Sequence, residues 1–275
     1  INLHKLTMSE IEQYEKSYNH LVKFKHFFLP LEILRLNYSN YIELIQKYLK
    51  KYKIVLPIIT FSQLDDMAIN IASYLTNYLS TIHIFLNHSS KYLLKIYGPN
   101  SQKFKSFDNA RKSFHFNNFS YRFIYELRNI SQHYSIPFHE LVLEQKKIGP
   151  KRGRCTLAVL IDKGELLYGG YEWKKLESEI KKLPNNFDIN KHIFIMEKCL
   201  ERLFYITIID DLAQLLERAK FMLDILNYAK GETGNIYILK EKDSSKNYEL
   251  FPLSIVKGVI NVSKESIQEY NKIIK

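Results

Sequence analysis

The chain has 275 residues, a net charge of +11, 46% hydrophobic and 14% aromatic content, and only 9 Gly and 7 Pro. This composition excludes a disordered polymer and disfavours a turn-rich β architecture, and it favours long helices around a sizeable core. Two cysteines, Cys155 and Cys199, exclude a disulfide framework and a thiolate metal cluster.

The charge is less specific than it looks. Of the 40 basic residues only 8 are Arg, and Lys comes with abundant Ile, Asn and Tyr. A compositional bias spread over every surface accounts for it as well as polyanion affinity does. No basic-then-apolar leader opens the chain, and no apolar run approaches the roughly 18 residues of a membrane span. The expectation is a soluble cytoplasmic protein with no membrane partner.

In chain order, residues 7–28 form a first amphipathic helix, with Ser9 and Glu12 as its capping box. Pro30 interrupts the pattern, and a second helix follows through Leu34, Tyr38, Tyr41, Ile45 and Tyr48. The Ile54–Ile59 stretch is an apolar connector. Ser62 with Asp65 opens the longest helix, which Gly98-Pro99 stops. His83 and His88 lie on it five apart, the wrong spacing for two ligands on one face, and are taken as structural or solvated. Asn100–Asn118 is a polar stretch leading into another helix that Ile136-Pro137 ends or bends.

Lys146–Arg154 is a basic loop marked by Gly and Pro, and the candidate boundary. It divides the chain into a helical domain, 1–148, and an α/β region, 149–275. In the latter, Cys155–Ile161 reads as a strand and Asp162–Gly164 as a turn. A short helix spans Trp173–Leu183, and Asp188 caps a long helix running to Tyr228. Asn235–Leu239 and Tyr248–Leu253 form a hairpin, and a final helix starts near Ser263.

The helix before Pro137 holds the informative residues. At about 100° per residue, Phe119, Phe123, Ile124, Leu127, Ile130 and Tyr134 share an apolar face. Arg122, Glu126, Asn129 and His133 share the opposite one, with Arg128 at its edge. The solvated face of so lysine-rich a chain should carry lysines, yet there are none between Tyr121 and Tyr134. Metal-free RNA cleavage needs a base for the 2′-hydroxyl proton, an acid for the leaving 5′-oxygen, and cations for the charge on phosphorus oxygens. His supplies the first two roles near neutral pH, and the Arg fork matches phosphate.

Leu127–His133 resembles the signature of HEPN-domain proteins, which is Arg, a polar residue, three variable residues and His. The resemblance covers roughly residues 60–140. It implies a mainly α fold, a HEPN-like bundle of long antiparallel helices, here with a small β-containing C-terminal part. It also implies a metal-independent endoribonuclease leaving 2′,3′-cyclic phosphate and 5′-hydroxyl ends, acting without cofactor as a toxin or antiphage effector. Such enzymes are typically homodimers with both motifs in one cleft. An antitoxin or regulatory protein is a further expected partner beside RNA.

On this reading His133 is the general acid/base and Arg128 binds the scissile phosphate. Asn129 orients the imidazole or contacts phosphate, and Glu126 pairs with Arg122 or Arg128. Tyr125 and Gln132 line the cleft edge. Lys151, Arg152 and Arg154 either steer RNA or form a solvated loop. The alternative from another class is a non-catalytic dimerisation or RNA-binding module, which expects His133 buried and fully hydrogen-bonded.

Overall fold

Thr7, not Ser9, opens the first helix. Its backbone N–H donates to Glu10 Oε2 at 2.7 Å while Glu10 N–H donates back to Thr7 Oγ1 at 3.2 Å, a reciprocal cap. The computed structural model describes residues 5–54, 60–149, 152–228, 237–242 and 245–274. Helix α1 runs unbroken over Met8–Ile54, with Pro30 inside it, where sequence periodicity suggested two helices. Proline forfeits one hydrogen bond and strains the preceding turn. Phe27, Phe28, Pro30, Leu31 and Leu34 are all buried, and that burial carries the helix through. The connector expected at 54–59 lies, beyond Ile54, outside the described residues.

Helix α2 (Phe61–Tyr97) is again capped two residues earlier than expected. Thr60 and Gln63 form its capping box, and Gly98, at φ 81°, closes it. Only Gly takes that conformation without strain. The stretch taken as a polar lead-in is helix α3 (Gln102–Asn117), capped by Ser101. Its single buried side chain is Phe107, too narrow a stripe to register as periodicity. Helix α4 is Phe119–His133.

Strands β1 (Glu140–Gly149) and β2 (Arg152–Asp162) pair antiparallel, with Glu140 opposite Leu160. The basic loop expected at 146–154 is therefore strand on both sides, and the position 148/149 falls within this hairpin. Asp162 does not make a turn; its side chain accepts from Glu165 N–H at 2.8 Å and caps α5 (Lys163–Tyr168). A 3-10 turn and α6 (Glu177–Ile180) follow. The short β3 (Asn186–Asp188) completes a three-stranded sheet in the order β1-β2-β3. Asp188 belongs to β3, and α7 spans Asn190–Ile208. A 3-10 turn at Ile209–Asp211 separates it from α8 (Leu212–Asn227), where one long helix was expected. Strands β4 (Tyr237–Lys242) and β5 (Ser245–Leu250) form a second hairpin, and α9 is Leu253–Ile274.

The architecture is thus mainly α, with long helices and a small antiparallel β part. Two compact units share the chain: Ile1–Leu29 with Tyr205–Lys275, and Pro30–Phe204. In the first, Leu21, Phe24, Leu215, Met222 and Val256 are buried, and Tyr228 donates to Glu10 at 2.7 Å. In the second, Leu34, Tyr41, Ile71, Phe85, Phe123, Val159 and Leu200 are buried. No helix among the described residues is long and apolar enough to cross a membrane.

Candidate active site

Helix α4 is fixed firmly at its start. Asn118 is the only residue between α3 and α4, and its side chain accepts from Tyr121 N–H at 3.1 Å. Phe123, Ile124, Leu127 and Ile130 bury the apolar face, as the spacing predicts, whereas Tyr134, placed on the same face, lies past the helix end and is exposed; α4 packs on α2 and α3. Phe123 stacks on Trp173, ring centroids 5.7 Å apart, and meets Phe187 and His192 edge-on. Among these rings burial holds the His192 imidazole down at about 4, so it is neutral, and Ser120 Oγ lies 2.8 Å from its Nδ1. The helix ends at His133. Tyr134 turns away at φ −128° and ψ −56°, and the N–H groups of Tyr134 and Ser135 both donate to Ile130 O.

Arg122 does not pair with Glu126. Its Nη2 donates to both carboxylate oxygens of Glu179, at 2.7 and 2.8 Å. Its Nη1 donates to the carbonyls of His115 and Phe116 at 2.6 Å each. Those carbonyls end α3, where a cation is favoured, so Arg122 clamps three elements together.

The remaining polar residues form a relay. Arg128 Nη1 donates to Asn129 Oδ1 at 3.2 Å, and Asn129 Nδ2 donates to Glu126 Oε2 at 2.9 Å. The same oxygen accepts a short hydrogen bond from the Tyr171 hydroxyl. Glu126 therefore holds the guanidinium through Asn129 rather than by a direct ion pair. Burial first, and then the Glu126 carboxylate, push the Tyr171 phenol up to about 12, so it stays protonated and donating. Arg128 Nε is buried and meets no acceptor among the described residues.

Tyr125 and Gln132 join α4 to α2. The Tyr125 ring lies 4.6 Å from that of His83, and Gln132 Nε2 donates to Ser80 Oγ at 3.3 Å. Burial, followed by the charge of Arg128, lowers the His83 pKa, and its Nε2 is buried without a partner among the described residues. His83 is thus half-buried beside the motif, while His88 is exposed.

His133 is different from all of these: it is exposed, and its imidazole has no hydrogen-bond partner among the described residues. The relay joins Arg128, Asn129 and Glu126 but does not extend to the imidazole, so Asn129 orients the guanidinium rather than His133. Of the basic hairpin residues, Arg154 is exposed and faces Lys146 across the strands, in a groove that Glu144 also lines. Lys151 and the Arg152 side chain lie outside the described residues.

Sequence reasoning missed Tyr171. It lies 45 residues from Glu126, and its only local mark is the Gly169-Gly170 pair before it. Gly170, at φ 83°, makes the turn that brings it back. Among the described residues no group of three or more His, Cys, Asp or Glu is placed to hold a metal ion. No protein-family model, curated protein or solved structure matches this chain.

Proposed function

We propose that the chain is a metal-independent endoribonuclease of the HEPN type. The observation that carries this reading is the contrast along one helix: the imidazole of His133 is exposed and has no partner among the described residues, while Arg128, five residues earlier, is held by Asn129 and makes no other side-chain hydrogen bond among them. The non-catalytic alternative expects a buried, hydrogen-bonded imidazole, which is not what His133 has.

In the reaction, His133 takes the proton of the ribose 2′-hydroxyl and the 2′-oxygen attacks phosphorus. The bond from phosphorus to the 5′-oxygen breaks, and an imidazolium returns a proton to that oxygen. Arg128 stabilises the charge on the non-bridging oxygens. The products are a 2′,3′-cyclic phosphate and a 5′-hydroxyl.

Five residues put Arg128 and His133 about 140° apart on a helix, so one copy presents them awkwardly to one phosphate. A two-fold homodimer through α4 supplies Arg128 from one copy and His133 from the other to a shared cleft. Arg154 and the basic hairpin steer RNA towards it. The cellular role is that of a cytoplasmic toxin or antiphage effector held in check by an antitoxin or regulatory protein; this part rests on the motif resemblance alone.

The test is incubation of the purified protein with mixed RNAs in EDTA, beside His133→Ala and Arg128→Ala. Cleavage proceeds in EDTA, and each substitution lowers the rate by roughly a hundredfold or more. Cleavage that needs a divalent ion, or that persists in His133→Ala, overturns the mechanism. Sedimentation mass tests the dimer separately.

A further inference from the structure

Tyr134 follows His133 directly and is 57% exposed. A single exposed tyrosine needs no explanation, but this one is held in place. Its backbone N–H donates to Ile130 O at 2.8 Å. Its ring meets that of Tyr171 edge to face, centroids 5.4 Å apart at 81°. Tyr171 bonds Glu126 through its hydroxyl and lies edge-on to Trp173 at 5.1 Å. Buried Trp173 in turn stacks on buried Phe123. A file of four rings therefore runs from the core to solvent and ends on Tyr134. The Tyr171–Glu126 bond also continues through Asn129 to Arg128, so one point holds both the exposed ring and the guanidinium.

We propose that Tyr134 is the stacking platform for an unpaired nucleobase beside the scissile phosphate, which makes single-stranded RNA, not duplex, the substrate. The proposal rests on the nuclease reading of His133 and Arg128. Stacking on a side chain requires a base that is free of its own helix, and it tolerates any base because every base has a π face. A ring already fixed by its neighbours loses little freedom when a base lands on it. The net charge of +11 attracts RNA whatever its bases, and a duplex with its denser phosphates at least as strongly as a single strand, so the ring, not the charge, selects for unpaired strands.

The experiment measures binding to full-length His133→Ala protein by fluorescence anisotropy. The probes are a labelled single-stranded RNA, the same sequence in a duplex, and a strand of equal length with abasic positions. The single strand binds about tenfold tighter than either other probe, the scale of one stacked base. Adding Tyr134→Ala erases the difference and Tyr134→Phe retains it. Equal binding of single-stranded and abasic RNA overturns the platform, and that comparison needs no further variant to fold. So does a preference that survives Tyr134→Ala. Cleavage by protein retaining His133 is scored separately. Base-dependent binding without cleavage sinks the nuclease reading and keeps the platform. Cleavage of duplex and single strand at equal rates, unchanged by Tyr134→Ala, does the reverse.

Discussion

Arg122 grips Glu179 across 57 residues of sequence, one nitrogen donating to both carboxylate oxygens at 2.7 and 2.8 Å. The arginine is largely buried, with 16% of its side chain exposed against 37% for the glutamate, so the pair is better shielded than a surface ion pair. Arg122→Met is expected to cost about 2 kcal/mol of stability, in the range for hydrogen bonds to charged groups. Arg122→Lys does not restore it, because an ammonium cannot serve two backbone carbonyls and a carboxylate together. Urea melts of the three proteins check this, and a rate of RNA cleavage per folded molecule unchanged by Arg122→Met shows that the residue is a clamp.

Tyr171→Phe removes one hydroxyl and leaves the ring. Glu126 then keeps Asn129 but loses its other donor, and the guanidinium of Arg128 is less well fixed. The expected result is a several-fold fall in kcat with KM nearly unchanged, and a stability loss of about 1 kcal/mol. Equal kcat values for Tyr171→Phe and the unchanged protein refute the relay.

Glu197 gives a pH dependence of known sign. It is 3% exposed, Tyr78 donates to its Oε2 at 3.1 Å, and its Oε1 has no partner among the described residues. Burial first, then the Glu201 charge, push its carboxyl up from 4.5 to about 7, against the opposing pull of Tyr78, Arg35 and Lys198. The folded form therefore binds a proton more tightly than the unfolded form does. Stability falls as pH rises from about 4.5 to 7 and then levels, by roughly 3 kcal/mol at about 1.4 kcal/mol per pK unit. Glu197→Gln flattens that part of the profile. Denaturant midpoints measured across this pH range in both proteins check it, and a slope shared by both rules Glu197 out as its cause.

Asn118→Ala removes the side-chain acceptor for Tyr121 N–H. The loss of an N-cap of this kind costs about 1 kcal/mol, and Asn118→Ser restores most of it. Thermal melts separate the two.

Much of the motif helix was legible because its apolar face repeats at the helical period and its polar face departs from the lysine-rich background. The caps show what was not. Thr7 and Thr60 each sit two residues before the serine that the sequence suggested, and each forms a reciprocal cap with the residue three positions on, Glu10 and Gln63; Ser9 has Glu12 at the same spacing, so the spacing alone does not tell the two apart. Pro30 looked like a stop because its cost is local, whereas the burial that outweighs it is tertiary. The basic run at 146–154 looked like a loop because its charges hide the β1–β2 pairing. Partners of the site such as Tyr171, Glu179 and His83 lie 40 or more residues from the motif residues they meet, and no local pattern encodes such pairings.

The single residue between α3 and α4 has a mechanical consequence. The origin of α4 is pinned by Asn118 and again one turn later by Arg122, so little play is left there. The far end is tied as well: Gln132 donates to Ser80 Oγ on α2, and the N–H groups of Tyr134 and Ser135 both return to Ile130 O. Fastened at both ends, α4 acts as a rigid ruler that sets one spacing between guanidinium and imidazole.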